Sequence, residues 1–408
     1  MALSGGAVAL VAVWLWRGED YWNFSEGVYL LTSRLFAHGA DLYGRTAAAQ
    51  PPGIFLFGAG VLEVHDSVEF MRLCVGLLQL AGGAIAAVVA WRLSGSRAAA
   101  LAAPALVMLT PWAVHESGAL TPEPVAIPLL MGGALLVARP RTAAAGGALA
   151  ALAVGVKLPF LIPLVGIVAG SSDRRRAMIG AAFALAVSVV AGLALFGSDL
   201  FGDVVTAQLQ SGHHAFADLP GLFAQTGWNL IGLVLAALVL VRVRARDADL
   251  GRAWLGLGAG LLVTVLTFYK DGTGLNILVP VEAGLVPAAL AGAAAPGRPG
   301  RLAQVAIAFV LIQTAALVAF PARTIVPFLY PLSERGAWGR SMSAQQVDDT
   351  ARRARDCPPG VGYSGTPYLA FVAHRPPAGG QPDLFLVPRS PRLTRERAMV
   401  EADPARCP

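Results

Sequence analysis

Apolar runs separated by short arginine-bearing tethers fill the first three quarters of the chain. The runs cover residues 2–16, 69–91, 98–113, 123–138, 142–156, 158–170, 177–197, 227–243, 252–269, 276–295 and 302–322. A helix needs ~20 largely apolar residues to cross a bilayer. Several runs are shorter, but they are rich in Ala and Gly, which lets helices pack closely. The pattern predicts an all-α polytopic membrane protein with eleven crossings. Two further segments read as interfacial helices. In residues 24–38, Phe24, Val28, Leu31 and Leu35 recur at helical spacing with Glu26, Ser33 and Arg34 elsewhere. Residues 53–64 are apolar but short. If they crossed fully, Arg92 would fall on the wrong side, so they are expected to lie in or dip into the interface. Residues 323–408 form a Pro- and Arg-rich tail with a helix expected at 344–356 and short strands near 360–364 and 383–387, a small α/β appendage. The organisation read from this is a helical domain over 1–322, containing a first external loop at 17–68, and an extracytoplasmic region over 323–408.

Charge fixes the orientation. Arg92 with Arg97, Arg139 with Arg141, Arg174–Arg176, the group Arg242, Arg244, Arg246 and Arg252, and Arg298 with Arg301 occupy alternate tethers. The positive-inside rule makes those cytoplasmic. The other loops carry His115, Glu116, Glu123, Asp199, Asp203, His213, His214 and Asp218 and fall outside. The N-terminus is then cytoplasmic and the C-terminus extracytoplasmic.

Composition removes other classes. The 408 residues are 56% hydrophobic and 14% charged, with a net charge of +6, and mean hydropathy is +0.62. Soluble domains carry ~25% charged residues. A soluble dinucleotide-binding enzyme, a disordered chain and a disulfide scaffold are all excluded. The arginines sit in tethers, which marks topology rather than nucleic acid. Cys74 lies in an apolar run, and Cys357 and Cys407 flank the tail, where a disulfide is one of two open readings.

Of the 31 basic residues only Lys157 and Lys270 are lysines, and both stand at outer helix ends. They read either as snorkelling cations or as two ammonium groups gathered on a phosphate. Glu19, Asp20 and Glu26 follow the first span beside Trp16, Tyr21, Trp22 and Phe24. They are either solvated carboxylates in an aromatic belt or a general base at the lipid boundary. HESGALTPEP places Glu116 and Glu123 by a helix start, where Glu123 also suits the helix dipole. The Asp247-Ala248-Asp249 pattern lies between arginines with no nucleotide fold near it, and His213-His214 with Asp218 lacks the spacing of a metal site. Asn23-Phe24-Ser25 fits a glycosylation acceptor by chance.

The stretch NFSEGVYLLTSRLFAHGADLYGRTAAAQPPGIFLFGA resembles the first external loop of the GT-C superfamily of membrane sugar transferases, in the branch of bacterial aminoarabinose transferases and protein O-mannosyltransferases. Gly39, Tyr43, Pro51 and Pro52 match its steps, and GVKLPF and YKDGTGLNILVP are similar to its lysine-bearing segments. The resemblance implies a GT-C-like bundle that moves a sugar from a polyprenyl-phosphate donor to an acceptor hydroxyl on the extracytoplasmic side of a bacterial plasma membrane. It implies Lys157, Lys270 and Arg72 on the donor phosphate, a base among Asp20, Glu26 and Glu19, and Glu123, Glu116, His115, Tyr43 and Asn276 as further site residues. No cofactor is required, and a divalent metal is left open. The partners are the lipid donor, membrane lipid and an acceptor of unnamed class, with no nucleic acid. Related loops read Asp-Glu-Gly where this chain reads Ser25-Glu26-Gly27. That departure keeps two alternatives in view: a transporter of lipid-linked sugars, and a non-catalytic relative that binds lipid phosphate.

Overall fold

Each of the apolar windows holds a helix. In the structure, a computed structural model, residues 2–17, 24–210, 230–239, 245–269, 275–319, 344–356, 367–377 and 380–383 are described. The helices are α1 (Ala2–Arg17), α2 (Phe24–Ala37), α3 (Gly53–Val64), α4 (Val68–Ser94), α5 (Arg97–Met108), α6 (Pro111–His115), α7 (Pro122–Val137), α8 (Ala143–Val154), α9 (Leu161–Gly170) and α10 (Arg174–Phe196). They continue with α11 (Leu230–Val239), then α12 (Ala248–Thr264), α13 (Leu278–Ala293), α14 (Gly297–Ala319), α15 (Ala344–Arg355) and α16 (Pro367–Val372). Helices stand at both segments expected to be interfacial, α2 and α3. Three helices are long and apolar enough to cross a membrane by themselves: Val68–Ser94, Arg174–Phe196 and Ala248–Thr267. Only 22% of the apolar window of α10 is buried inside the protein, and Phe183, Val190 and Leu195 stand bare on it. So apolar and uncovered a helix needs hydrocarbon around it.

One expectation needs correction. The window 98–113 reads as one helix but is broken into α5 and α6. Pro111 opens α6, and the residue before a proline is driven out of the helical region, so Thr110 is extended at ψ 150°. Neighbouring helices satisfy the backbone freed at the break: Thr314 of α14 donates to the Leu109 carbonyl at 2.6 Å, and the Trp112 N–H donates to Glu282 of α13 at 2.9 Å. The α/β character expected of the tail falls largely on residues outside those described. The tail's described part is helical, with α15 where a helix was expected. Among the described residues of the whole chain there is no strand; an isolated bridge joins Leu42 and Thr46, and Pro377 in the tail is also in a bridge. The strands expected near 360–364 and 383–387 lie outside the described residues except for Asp383.

Small residues set the helix spacing. Gly166 of α9 and Gly256 of α12 face each other so closely that a Cβ on either would lie 2.1 Å from the other's carbonyl oxygen. One hydrophobic core runs through the bundle from Ala9 to Val310. A second lies at one end, where α2, α3 and the loop at 42–48 pack with Leu200, Val204, Ala351, Ala354 and the α16 residues Tyr368–Phe371. At the opposite end the tethers are pinned by arginine: Arg92 pairs with Asp247 through an Nε–Oδ2 bond of 2.9 Å, and the Arg246 N–H donates to the Leu93 carbonyl.

Overpacking a tight contact costs ~1–3 kcal/mol. Gly256→Val is therefore expected to lower the unfolding midpoint of the detergent-purified protein by several degrees, and an unchanged midpoint would contradict the α9–α12 contact.

Candidate functional site

Carboxylates buried among apolar helices need cations, because an unpaired charge there is far too costly. At the end of the bundle away from the arginine tethers, two such carboxylates are fully buried and each has a cation from a distant part of the chain. Glu123 opens α7 and forms an ion pair with Lys157, whose side chain is 9% exposed. The second Glu123 oxygen accepts a 2.9 Å bond from the Asn276 amide. Lys157 sits in the turn after α8, and Asn276 in the turn before α13. Three helix ends thus meet on one carboxylate. Glu116, at the end of α6, is close enough to Glu123 to repel it electrostatically and accepts a 3.2 Å bond from the Thr121 hydroxyl.

Tyr29 of α2 faces this group. Burial raises its phenol well above the ordinary value, and the carboxylates of Glu123, Asp383 and Glu116 add to the shift. The Tyr29 hydroxyl therefore stays protonated and serves only as a neutral hydrogen-bonding group.

One turn earlier on α2, Glu26 is held by a two-pronged pair from Arg72 of α4: Nε to Oε1 at 2.9 Å and a terminal nitrogen to Oε2 at 2.7 Å. Such fork geometry fixes orientation as well as charge. Arg72 also hydrogen-bonds Tyr368 of α16.

An apolar cavity of about 630 Å³ opens beside the Glu123–Lys157 pair, within the ~300–1,000 Å³ usual for ligand sites. Val125, Val156 and Leu158, near chain neighbours of the pair, line it together with Leu56 and Phe57 of α3 and the outer half of α10. Ser188 is the single hydroxyl among its lining residues, and that hydroxyl is engaged with the Ala184 carbonyl at 2.8 Å. A chamber with so little polarity suits an alkyl chain.

Other residues singled out in the sequence are placed as follows. Tyr43 is buried with φ 69°, and its hydroxyl donates to the Gln50 carbonyl at 2.8 Å. It shapes the approach to Pro51 and Pro52, which line the cavity, and does not join the ion pairs. Asp247 caps α12, accepting from Leu250 N at 3.0 Å, which accounts for the D-x-D pattern without a ligand. Glu19, Asp20, Lys270, the His115 side chain, Asn23, His213, His214, Asp218, Cys357 and Cys407 lie outside the described residues. Cys74 is a free thiol. Among the described residues no group of three His, Cys, Asp or Glu is arranged for a metal ion.

The sequence reading missed Glu282. It is fully buried in α13 and takes the N–H groups at the start of α6, whose far end carries Glu116. A lone glutamate in the apolar run VPVEAGLVP was the available signal.

No family model matches the chain, and no curated protein matches it in sequence. Solved structures do. The crystal structure of ArnT from Cupriavidus metallidurans bound to undecaprenyl phosphate superposes with a TM-score of 0.61 at 15% identity, covering 91% of this chain and 84% of that one. The crystal structure of the same protein in the apo state gives 0.53 at 18% identity over the same shares. Likeness at this identity speaks for the fold alone: an all-α bundle like that of the ArnT structures.

Proposed function

We propose that the chain is an integral membrane glycosyltransferase that moves a sugar from a polyprenyl-phosphate donor to an acceptor hydroxyl. One observation carries the reading: the buried Glu123–Lys157–Asn276 cluster lies beside an almost wholly apolar cavity, whose lining includes its chain neighbours Val125, Val156 and Leu158. A lysine next to an alkyl chamber suits a phosphate on a long prenyl chain, with Lys157 exchanging its carboxylate partner for the phosphate. The likeness to an ArnT solved with undecaprenyl phosphate supports the same reading.

In this account the acceptor hydroxyl gives its proton to a carboxylate of the first external loop. Its oxygen then bonds to the anomeric carbon as the bond from that carbon to the phosphate oxygen breaks, releasing polyprenyl phosphate. Lysine stabilises the leaving phosphate, so no general acid is needed. Lys157 and Lys270 are the proposed phosphate ligands, with Arg72 a third. Asp20, Glu19 and Glu26 are the proposed bases. Glu26 is the least available of them, because Arg72 occupies both its oxygens. The reaction needs no cofactor. Nucleotide sugars are cytoplasmic, so a lipid-linked donor suits the face opposite the arginine tethers. An Ala-, Gly- and Arg-rich chain with two lysines also suits a bacterial plasma membrane.

Ser25 favours a second reading, in which the chain binds lipid phosphate without transferring sugar. Its sequence neighbours Glu26 and Gly27 match the family step, while the aspartate position holds a hydroxyl.

The direct test is transfer from a radiolabelled polyprenyl-phosphate sugar by the purified protein, with acceptors drawn from bacterial envelope lipids. Label is expected to move, and Asp20→Asn to abolish the transfer with expression intact. Undiminished transfer in that variant removes Asp20 as the base. No transfer by the wild type, with undecaprenyl phosphate still bound, favours the second reading.

Lys157 has its own test. Removing one partner of a buried pair costs ~3–5 kcal/mol, while an uncharged replacement of both is close to neutral. Lys157→Met is expected to lower the unfolding midpoint, and Lys157→Met with Glu123→Gln to restore most of it. Undecaprenyl phosphate binding should stay at least tenfold weaker in the double variant. Wild-type affinity there would show that Lys157 serves folding alone.

A further inference from the structure

The tail is built into the end of the bundle that carries the proposed site. Tyr368 of α16 is buried and hydrogen-bonds Arg72, the guanidinium that grips Glu26. Its ring centre lies 5.9 Å from the Arg72 guanidinium carbon. The backbone of Tyr368 also presses on the residue after Glu26: a Cβ at Gly27 would fall 2.3 Å from the Tyr368 nitrogen. Only glycine admits this approach. Three further hydrogen bonds, one from Arg34 and two through Gln381, hold the segment down, and Arg34 is itself braced by Asp66. Arg34 of α2 donates to the Phe371 carbonyl at 2.5 Å and to Asp66 at 2.7 Å. The Gln381 side chain accepts from the Ala47 N–H at 2.9 Å and donates to the Arg45 carbonyl at 2.7 Å.

Arg72 is thus held from two directions. Glu26 takes two of its donors, and the Tyr368 hydroxyl takes another. A guanidinium with one face unengaged swings on its long stem, and the carboxylate paired with it swings too. Burial pushes the Tyr368 phenol up to about 12, so it remains a neutral partner throughout the working pH range.

We propose that the C-terminal segment is a wall of the reaction site and that Tyr368 is a positioning residue, acting through Arg72 to hold the geometry of Glu26 and the first external loop. This rests on the glycosyl-transfer reading above. It assigns the tail a task in the reaction, distinct from carrying an acceptor or covering the bundle.

The test uses the full chain in detergent or nanodiscs. One hydrogen bond to a charged group is worth ~1.5–3 kcal/mol, so Tyr368→Phe should lower turnover at saturating donor about tenfold or more. The unfolding midpoint should stay at its wild-type value, which separates positioning from a general loss of folded protein. Wild-type turnover in Tyr368→Phe overturns the proposal, as does a fall matched by an equal loss of folded protein. Should the wild type itself transfer no sugar, the glycosyl-transfer reading fails and the wall is judged by chemical access. Phenylglyoxal should then modify Arg72 several-fold faster in Tyr368→Ala and in Gly27→Ala, with the exposed Arg175 as an unchanged internal reference. Equal Arg72 labelling in all three proteins would overturn the proposal on that arm.

Discussion

Buried charge must be matched, and in a bundle this apolar the matching decides how the helix ends come together. Glu26 and Glu123 have no exposure to solvent, and each finds its cation on another helix. An uncompensated carboxylate in such surroundings costs more than any single apolar contact returns. The two pairs therefore fix α2 against α4 and α7 against the turn after α8. Asn276 then draws the start of α13 onto the same carboxylate. What looks like a set of helices meeting at one face is, physically, a set of helices meeting at two negative charges.

The pairs sit in different settings and invite different tasks. Glu123–Lys157 lies beside the cavity, whose lining includes Val125, Val156 and Leu158. Glu26–Arg72 is shut into the layer formed by α2, α3 and the tail, where Tyr368 covers it. Both pairs are largely withdrawn from solvent, with Lys157 at 9% and Arg72 at 19% side-chain exposure, and each ties the end of one helix to another part of the chain. Glu282 extends the same principle inward. It replaces the lost helical partners of α6 and so holds the segment that ends at Glu116.

Much of this was legible from residues alone. Helix existence followed from apolar runs, because a stretch such as 69–91 admits no other backbone state in hydrocarbon. The helices at 24–38 and 53–64 were readable for the same reason, through spacing and length. Scarcity singled out Lys157 among arginines, and position singled out Glu123. What the sequence could not show was partnership. Nothing in the spacing of Glu26 and Arg72, or of Glu123 and Lys157, says that they touch, since ion pairs across helices depend on packing rather than on local pattern. The break at Thr110 was hidden because Pro111 can open a helix as readily as interrupt one. Tyr368 was invisible for a further reason: its role comes from a glycine more than three hundred positions earlier that leaves room for it.

The claim on which the rest stands is that a lipid phosphate sits with its head at Lys157 and its chain in the cavity beside it. Photo-crosslinking with a polyprenyl phosphate carrying a photoreactive group in the chain, followed by mass spectrometry, tests this most directly. The account predicts adducts on Leu56 or Phe57 of α3 and on the Leu185–Leu195 stretch of α10, suppressed by excess undecaprenyl phosphate. Adducts spread over the lipid-facing surface without competition, or absent from both walls, would contradict it.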